Sequence, residues 1–152
     1  MHQLSKSALY KACLTYVEQR INQARIGMTI AQEASNTETK SSAGDKYETG
    51  RAMAQQERDR HAVQLYEAQQ LLDVLQRLSA ELLCDTVRLG AVVETDIGLF
   101  YVSIGAGKLR TAEGQEFLAV SSVAPVIVAL SGRRAGEDIV FNGRVIRVLT
   151  VS

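Results

Sequence analysis

"YKACLTYVEQRINQARIGMTIA", residues 10–31, decides the first half of the chain. Tyr10, Leu14, Val17, Ile21, Ala24, Met28 and Ala31 fall at alternating spacings of four and three. That 3.5-residue period keeps one apolar stripe on one side of a helix, as in a coiled-coil seam. Residues 1–83 contain no proline and are rich in Ala, Gln, Glu, Arg and Leu, which are good helix formers. A second stripe, Ala54, His61, Leu65, Ala68, Leu72 and Leu75, skips one turn at Arg58. Neither stripe is stable in water, so the simplest structure folds one helix back on the other as an antiparallel hairpin. Helix one is expected to end near Ser35 and helix two to begin near Asp45. Large seam residues (Leu14, Ile21, Leu65, Leu72, Leu75) lie far from the turn and alanines (Ala24, Ala31, Ala54) nearer to it. The base is therefore expected to carry the stability.

After residue 84 the period changes. "VRLGAVVETDIGLFYVSIG", residues 87–105, shows short β-rich runs broken by Gly and Asp. "EDIVFNGRVIRVLTVS", residues 137–152, places Asn142-Gly143 between two β-branched runs, the pattern of a type I′ hairpin. Between them, "SSVAPVIVALSGRRAG" reads as a short helix started near Ser122. Pro125 sits in its first turn and Gly132 at its stop. The predicted class is α+β. A long antiparallel coiled-coil hairpin covers 1–82 with an acidic tip at 41–50. A small antiparallel sheet with one short helix covers 83–152, starting near Val87. At ~70 residues the second part is near the lower limit for an independent core.

Charge is balanced, with 17 basic and 17 acidic residues, ten of each before residue 82 and seven of each after it. Neither half is a bulk electrostatic binder of nucleic acid, so no independent DNA binding is expected. Cys13 and Cys84 form no metal-ligand spacing and no disulfide framework. They read as reduced thiols of a cytoplasmic protein. The opening residues lack the apolar core of a signal peptide. No apolar run approaches the ~20 residues of a membrane span, so no membrane partner is expected.

The predicted turn reads "SSAGDKYETGRAM", residues 41–53. Asp45 and Glu48, three apart at a helix start, outline a capping box, and both favour the positive end of the helix dipole. The same carboxylates, presented at the end of a hairpin, can help to hold a metal. Two are too few for a dedicated cage, but Mg²⁺ is commonly shared among one or two carboxylates, water and phosphates. The two readings are compatible, since a capping carboxylate keeps spare lone pairs.

This layout resembles the Gre transcript-cleavage factors of bacterial RNA polymerase, which join a helical hairpin to a C-terminal domain of FKBP-like fold. The family's tip motif G-D-x-x-E-N is matched by Gly44, Asp45 and Glu48, with Thr49 in place of Asn. "LAVSSVAPVIVALSGRRAGED", residues 118–138, is similar to the family's C-terminal stretch, with one residue inserted before the proline. The resemblance implies a hairpin inserted in the polymerase's secondary channel. There Asp45 and Glu48 act as catalytic ligands to a Mg²⁺ shared with the polymerase, and the backtracked RNA 3′ end is cut. The isolated protein would bind no cofactor and be no enzyme. It implies RNA or polymerase contacts for Lys40, Lys46 and Arg51, whose plain alternative is solvated charge. It also implies polymerase docking through Ser121, Ser122, Pro125, Gly132 and Gly136.

The altered neighbours Thr49-Gly50-Arg51 leave two alternatives open: a secondary-channel regulator without cleavage, and a coiled-coil adaptor for an unrelated protein. His61 reads as a seam or edge histidine, Cys13 as packing, and Tyr47 as solvent-facing or stacked on a base. With only four large aromatics, Phe100, Tyr101, Phe117 and Phe141, and no Trp, the second half is not expected to be a prolyl isomerase.

Overall fold

In a computed structural model, residues 5–40 and 45–152 are described, residues 38–40 and 45–47 by their backbone alone. Helix α1 spans Lys6–Lys40 and α2 Asp45–Arg77. Strands β1 (Val92–Thr95), β2 (Gly98–Val102), β3 (Gly107–Arg110) and β4 (Glu116–Val120) follow. Helix α3 (Pro125–Leu130), β5 (Asp138–Phe141) and β6 (Arg144–Val151) complete the chain. The class is α+β, as expected.

Both stripes are the inner faces of their helices: every named position from Tyr10 to Ala31 and from Ala54 to Leu75 is buried or half-buried. The helices run antiparallel. Gly27 lies against His61, while Ala31, further along α1, shares a groove with Ala54, earlier on α2. Helix α1 continues to Lys40, beyond the expected stop near Ser35. The polar stretch that suggested a loop satisfies itself within the helix. The Thr29 and Thr37 hydroxyls donate to the Arg25 and Glu33 carbonyls at 3.1 and 3.0 Å, and Gln32 Nε2 donates to Asn36 Oδ1 at 3.2 Å. A threonine bonded to the carbonyl four residues back stays helical.

The chain forms two compact units, residues 17–70 and residues 1–16 with 71–152. The change from helix to strand falls between Arg77 and Val92, either side of the expected 82/83 boundary. Compactness divides the chain elsewhere, because the outer ends of both helices belong with the sheet.

The sheet order is β3-β4-β2-β1-β6-β5. It is antiparallel except where β2 pairs β4 in parallel, Phe100 beside Leu118 and Val102 beside Val120. The sequence reading expected antiparallel strands throughout. After β2 the chain reverses into β3 one strand's width away, and the return strand β4 fills the gap with β2's direction. Strands β5 and β6 form the predicted hairpin, with φ of 51° at Asn142 and 74° at Gly143. Helix α3 begins at Pro125 rather than near Ser122, with Ala124 before it. Proline suits the first helical position because its missing N–H would find no helical partner there. Gly132, at φ 78°, ends the turn and donates its N–H to the Val87 carbonyl at 2.9 Å.

Alternation along β2 sends side chains to both faces. Phe100 and Val102 join Val93, Ile127, Leu130, Ile146 and Val148 in the core under α3. Tyr101 and Ser103 point to the opposite face, where Ser103 Oγ lies 3.7 Å from Cys13 Sγ. The start of α1 and the end of α2 meet there, with Tyr10 Oη donating to the Leu75 carbonyl at 3.0 Å. Leu9, Cys13, Leu75 and Tyr101 are all sealed from solvent.

Among the described residues, the Tyr101 hydroxyl is buried without a hydrogen-bond partner. Burial, then the neighbouring Cys13, Tyr10 and Cys84, push its pKa above the ordinary phenol range. An unpaired buried hydroxyl costs about 1–3 kcal/mol. Tyr101→Phe, which deletes it and keeps the ring, should leave stability unchanged or raise it by about 1 kcal/mol, read from urea unfolding midpoints. A loss of that size would show that the hydroxyl is satisfied.

Candidate functional site

The candidate ligands stand where α2 begins. Asp45 is the first residue of α2, so positions 45 and 48 are one turn apart and adjacent along the helix. Glu48 and Arg51 are exposed to solvent. Residues 41–44, with the motif's Gly44, lie outside the described residues, as do the side chains of Lys40, Asp45, Lys46 and Tyr47. Thr49 takes part in an interaction of its own. Among the described residues, no three His, Cys, Asp or Glu side chains converge as a metal cage. Carboxylates in a helix's first turn are stabilised by the unpaired N–H groups there, so the local fold tolerates acids at this point.

Behind that end, unit 17–70 is built on a seam of small residues: among the described residues, Ala24, Ala31, Ala54 and Ala68 are its buried positions alongside Val17 and Ser35. Gly27 admits the His61 ring. A Cβ at Gly27 would fall 2.5–2.6 Å from three ring atoms. The ring is further fixed by Nδ1 to Gln64 Oε1 at 2.9 Å, and Nε2 lies 3.9 Å from Glu57 Oε2. His61 is thus a seam histidine, as its place in the stripe suggested. Beside it an open groove of about 470 Å³ has Gly27, Ala31 and Ala54 among its lining, flanked by exposed Ile26 and Ile30.

In the other unit, Cys13 is packing, as expected. Burial pushes its thiol up to about 11, against the opposing Ser103 hydrogen bond. Of the docking candidates, Ser121 is half-buried, its hydroxyl accepting from the Val123 N–H at 3.2 Å. Ser122, Pro125, Gly132 and Gly136 are exposed. They punctuate one segment: the turn before α3, its first residue, its stop, and the turn into β5. Gly136, at φ 91°, donates to the Val148 carbonyl at 2.7 Å. Val123 and Val128 add exposed apolar surface to that segment, at 78% and 59%.

Sequence reasoning passed over Gly27, Lys6 and the partnerless Tyr101 hydroxyl. A glycine inside a helix was a signal for the first, since it costs about 1 kcal/mol relative to alanine unless something needs the space. Gly27→Ala should therefore gain no stability in the native chain, but about 1 kcal/mol once His61→Ala has removed the ring. A double-mutant cycle by urea unfolding reads this coupling. Simple additivity would mean that the ring moves aside freely.

No helix among the described residues is long and apolar enough to cross a membrane. No protein-family model matches the chain, and no curated protein sequence matches it. Among solved structures, the chain is similar to GreA factor homolog 1 (Gfh1) of Thermus thermophilus. The two are 22% identical over 93% of this chain and 96% of that one, with a TM-score of 0.37. It is likewise similar to a second structure described as the transcription factor Gfh1, also 22% identical, over 95% of this chain and 93% of that one, with a TM-score of 0.35.

Proposed function

We propose that the chain is an elongation factor of bacterial RNA polymerase that stimulates cleavage of backtracked transcripts through the polymerase's secondary channel. The observation that carries this reading is the start of α2 at Asp45. It sets the motif's two acids one turn apart at the end of a long helix, with Glu48 free to solvent. The same chain then supplies the sheet, α3 and the stretch 118–138 in the family's order.

The residues fit a shared Mg²⁺. Carboxylates borne one helical turn apart would supply hard oxygen ligands and leave positions for water, phosphate and a partner's acids. Such an ion supplies an activated water and stabilises charge on the oxygens of a phosphodiester under hydrolysis. This chain's part is to carry Asp45 and Glu48 at the start of α2, with the seam of small residues behind them. Lys40, Lys46 and Arg51 flank the acids and would steady RNA phosphates. The segment of Ser121, Ser122, Pro125, Gly132 and Gly136 would hold the sheet unit on the polymerase. The chain alone would have no nuclease activity.

Thr49, in place of the motif's Asn, favours a second reading: the same channel occupied for regulation without cleavage. One variant separates the two. In a halted, backtracked elongation complex with Mg²⁺, the wild type should accelerate release of a short 3′ RNA. Asp45→Asn should lose at least about tenfold of that acceleration. It should keep polymerase binding and helix content, because Asn caps a helix about as well as Asp. Full cleavage by Asp45→Asn would remove the metal role. A wild type that binds and never stimulates would establish the regulator.

A further inference from the structure

Two buried, chemically capable side chains in the sheet unit have no part in that function. Lys6 opens α1 and is 8% exposed; Cys84 is 6% exposed. Lys6 Nζ donates to the Leu82 carbonyl at 2.6 Å and lies 4.0 Å from Cys84 Sγ. A lysine buried on a carbonyl and a thiol, with no carboxylate among these partners, is unusual, since buried ammonium groups are normally paired with acids. Burial lowers its pKa, and nearby Arg88 adds to this while Cys84 opposes it. A larger share of the amine is therefore neutral and nucleophilic.

Cys84 lies in the irregular segment between Arg77 and Val92, beside Leu82 and Leu83, which are 57% and 74% exposed. Cys84 keeps 6% of its surface exposed, which suits entry by a small neutral oxidant. Cys13 differs: it is fully enclosed, and its thiol is held protonated.

We propose that Lys6 and Cys84 form a peroxide-responsive modification site, in which oxidised Cys84 is captured by the Lys6 amine as a reversible covalent cross-link. The Cys84 thiolate attacks hydrogen peroxide. The O–O bond breaks, hydroxide leaves, and the sulfur, oxidised by two electrons, becomes a sulfenic acid. Neutral Lys6 Nζ then attacks that sulfur. The S–O bond breaks, an S–N bond forms, and the departing hydroxide takes an Nζ proton and leaves as water. Sulfenic acids condense in this way even with backbone nitrogen, and the flexible lysine stem can close the remaining distance. The cross-link ties the first residue of α1 to the segment that leads into the sheet. Excess thiol restores both side chains by attack at sulfur.

The test treats the full-length chain with hydrogen peroxide and maps its peptides by tandem mass spectrometry. The expected product joins the Lys6 and Cys84 peptides, about 2 Da below the sum of the free pair, and disappears on reduction with dithiothreitol. It should persist in Cys13→Ala. In Lys6→Arg, which keeps the positive charge, it should give way to a Cys84 sulfenic acid trapped by dimedone. A wild type that yields dimedone-labelled Cys84 without the cross-link overturns the proposal. So does a cross-link joining Cys13 to Cys84, or a Cys84 that stays reduced while peroxide oxidises the chain's methionines. These wild-type outcomes decide the matter whether or not either variant folds.

Discussion

Strand β2 is buried on both faces, and the architecture of the sheet unit follows from that. Phe100, Tyr101, Val102 and Ser103 are consecutive, alternate in direction, and are each at most 4% exposed. An antiparallel sheet can leave one face in water, but Tyr101 on the second face forbids it here. Burying one large apolar side chain contributes roughly 1.5–3 kcal/mol. Helix α3 covers one face. The other is closed by the first turns of α1 and the last turns of α2, through Leu9, Cys13 and Leu75. The helix ends are therefore structural parts of the sheet unit, and the compact division at residues 16/17 and 70/71 follows.

Unit 17–70 is built on a different principle. Its buried positions are mostly alanines, with a glycine under a histidine ring. Small side chains bury little area, so hydrophobic transfer contributes little per residue. Close approach of the two helices and good helix propensity carry the remainder. Acids at the start of α2 are then held by a narrow element whose own stability is modest, while packing of large side chains is concentrated in the other unit.

The sequence revealed the periods, not the partners. The heptad stripes, the Asn142-Gly143 hairpin and Pro125 at the start of α3 were legible because each rests on local stereochemistry. Helix α1's last turn was not, because Thr37 and Asn36 mark loops unless their side chains bond back along the helix. The parallel β2–β4 pair was hidden because short strands do not declare their neighbours. The 82/83 boundary rested on composition, which could not show that Cys13 and Ser103, far apart in sequence, meet across it. Of the site, the adjacency of positions 45 and 48 was readable from their spacing. The buried Lys6 was not, because nothing near it in sequence distinguishes it from an exposed lysine.

The central claim is that the outer helix ends and the sheet are one cooperative unit, separate from residues 17–70. Native-state hydrogen exchange on the intact chain in rising urea tests it most directly. Amides of residues 9–16 and 71–75 are predicted to share one opening free energy with those of β1 and β2, above the value for residues 17–70. If those helix ends instead opened together with 17–70 while β2 kept its full protection, the sheet would stand without them and the account would be wrong.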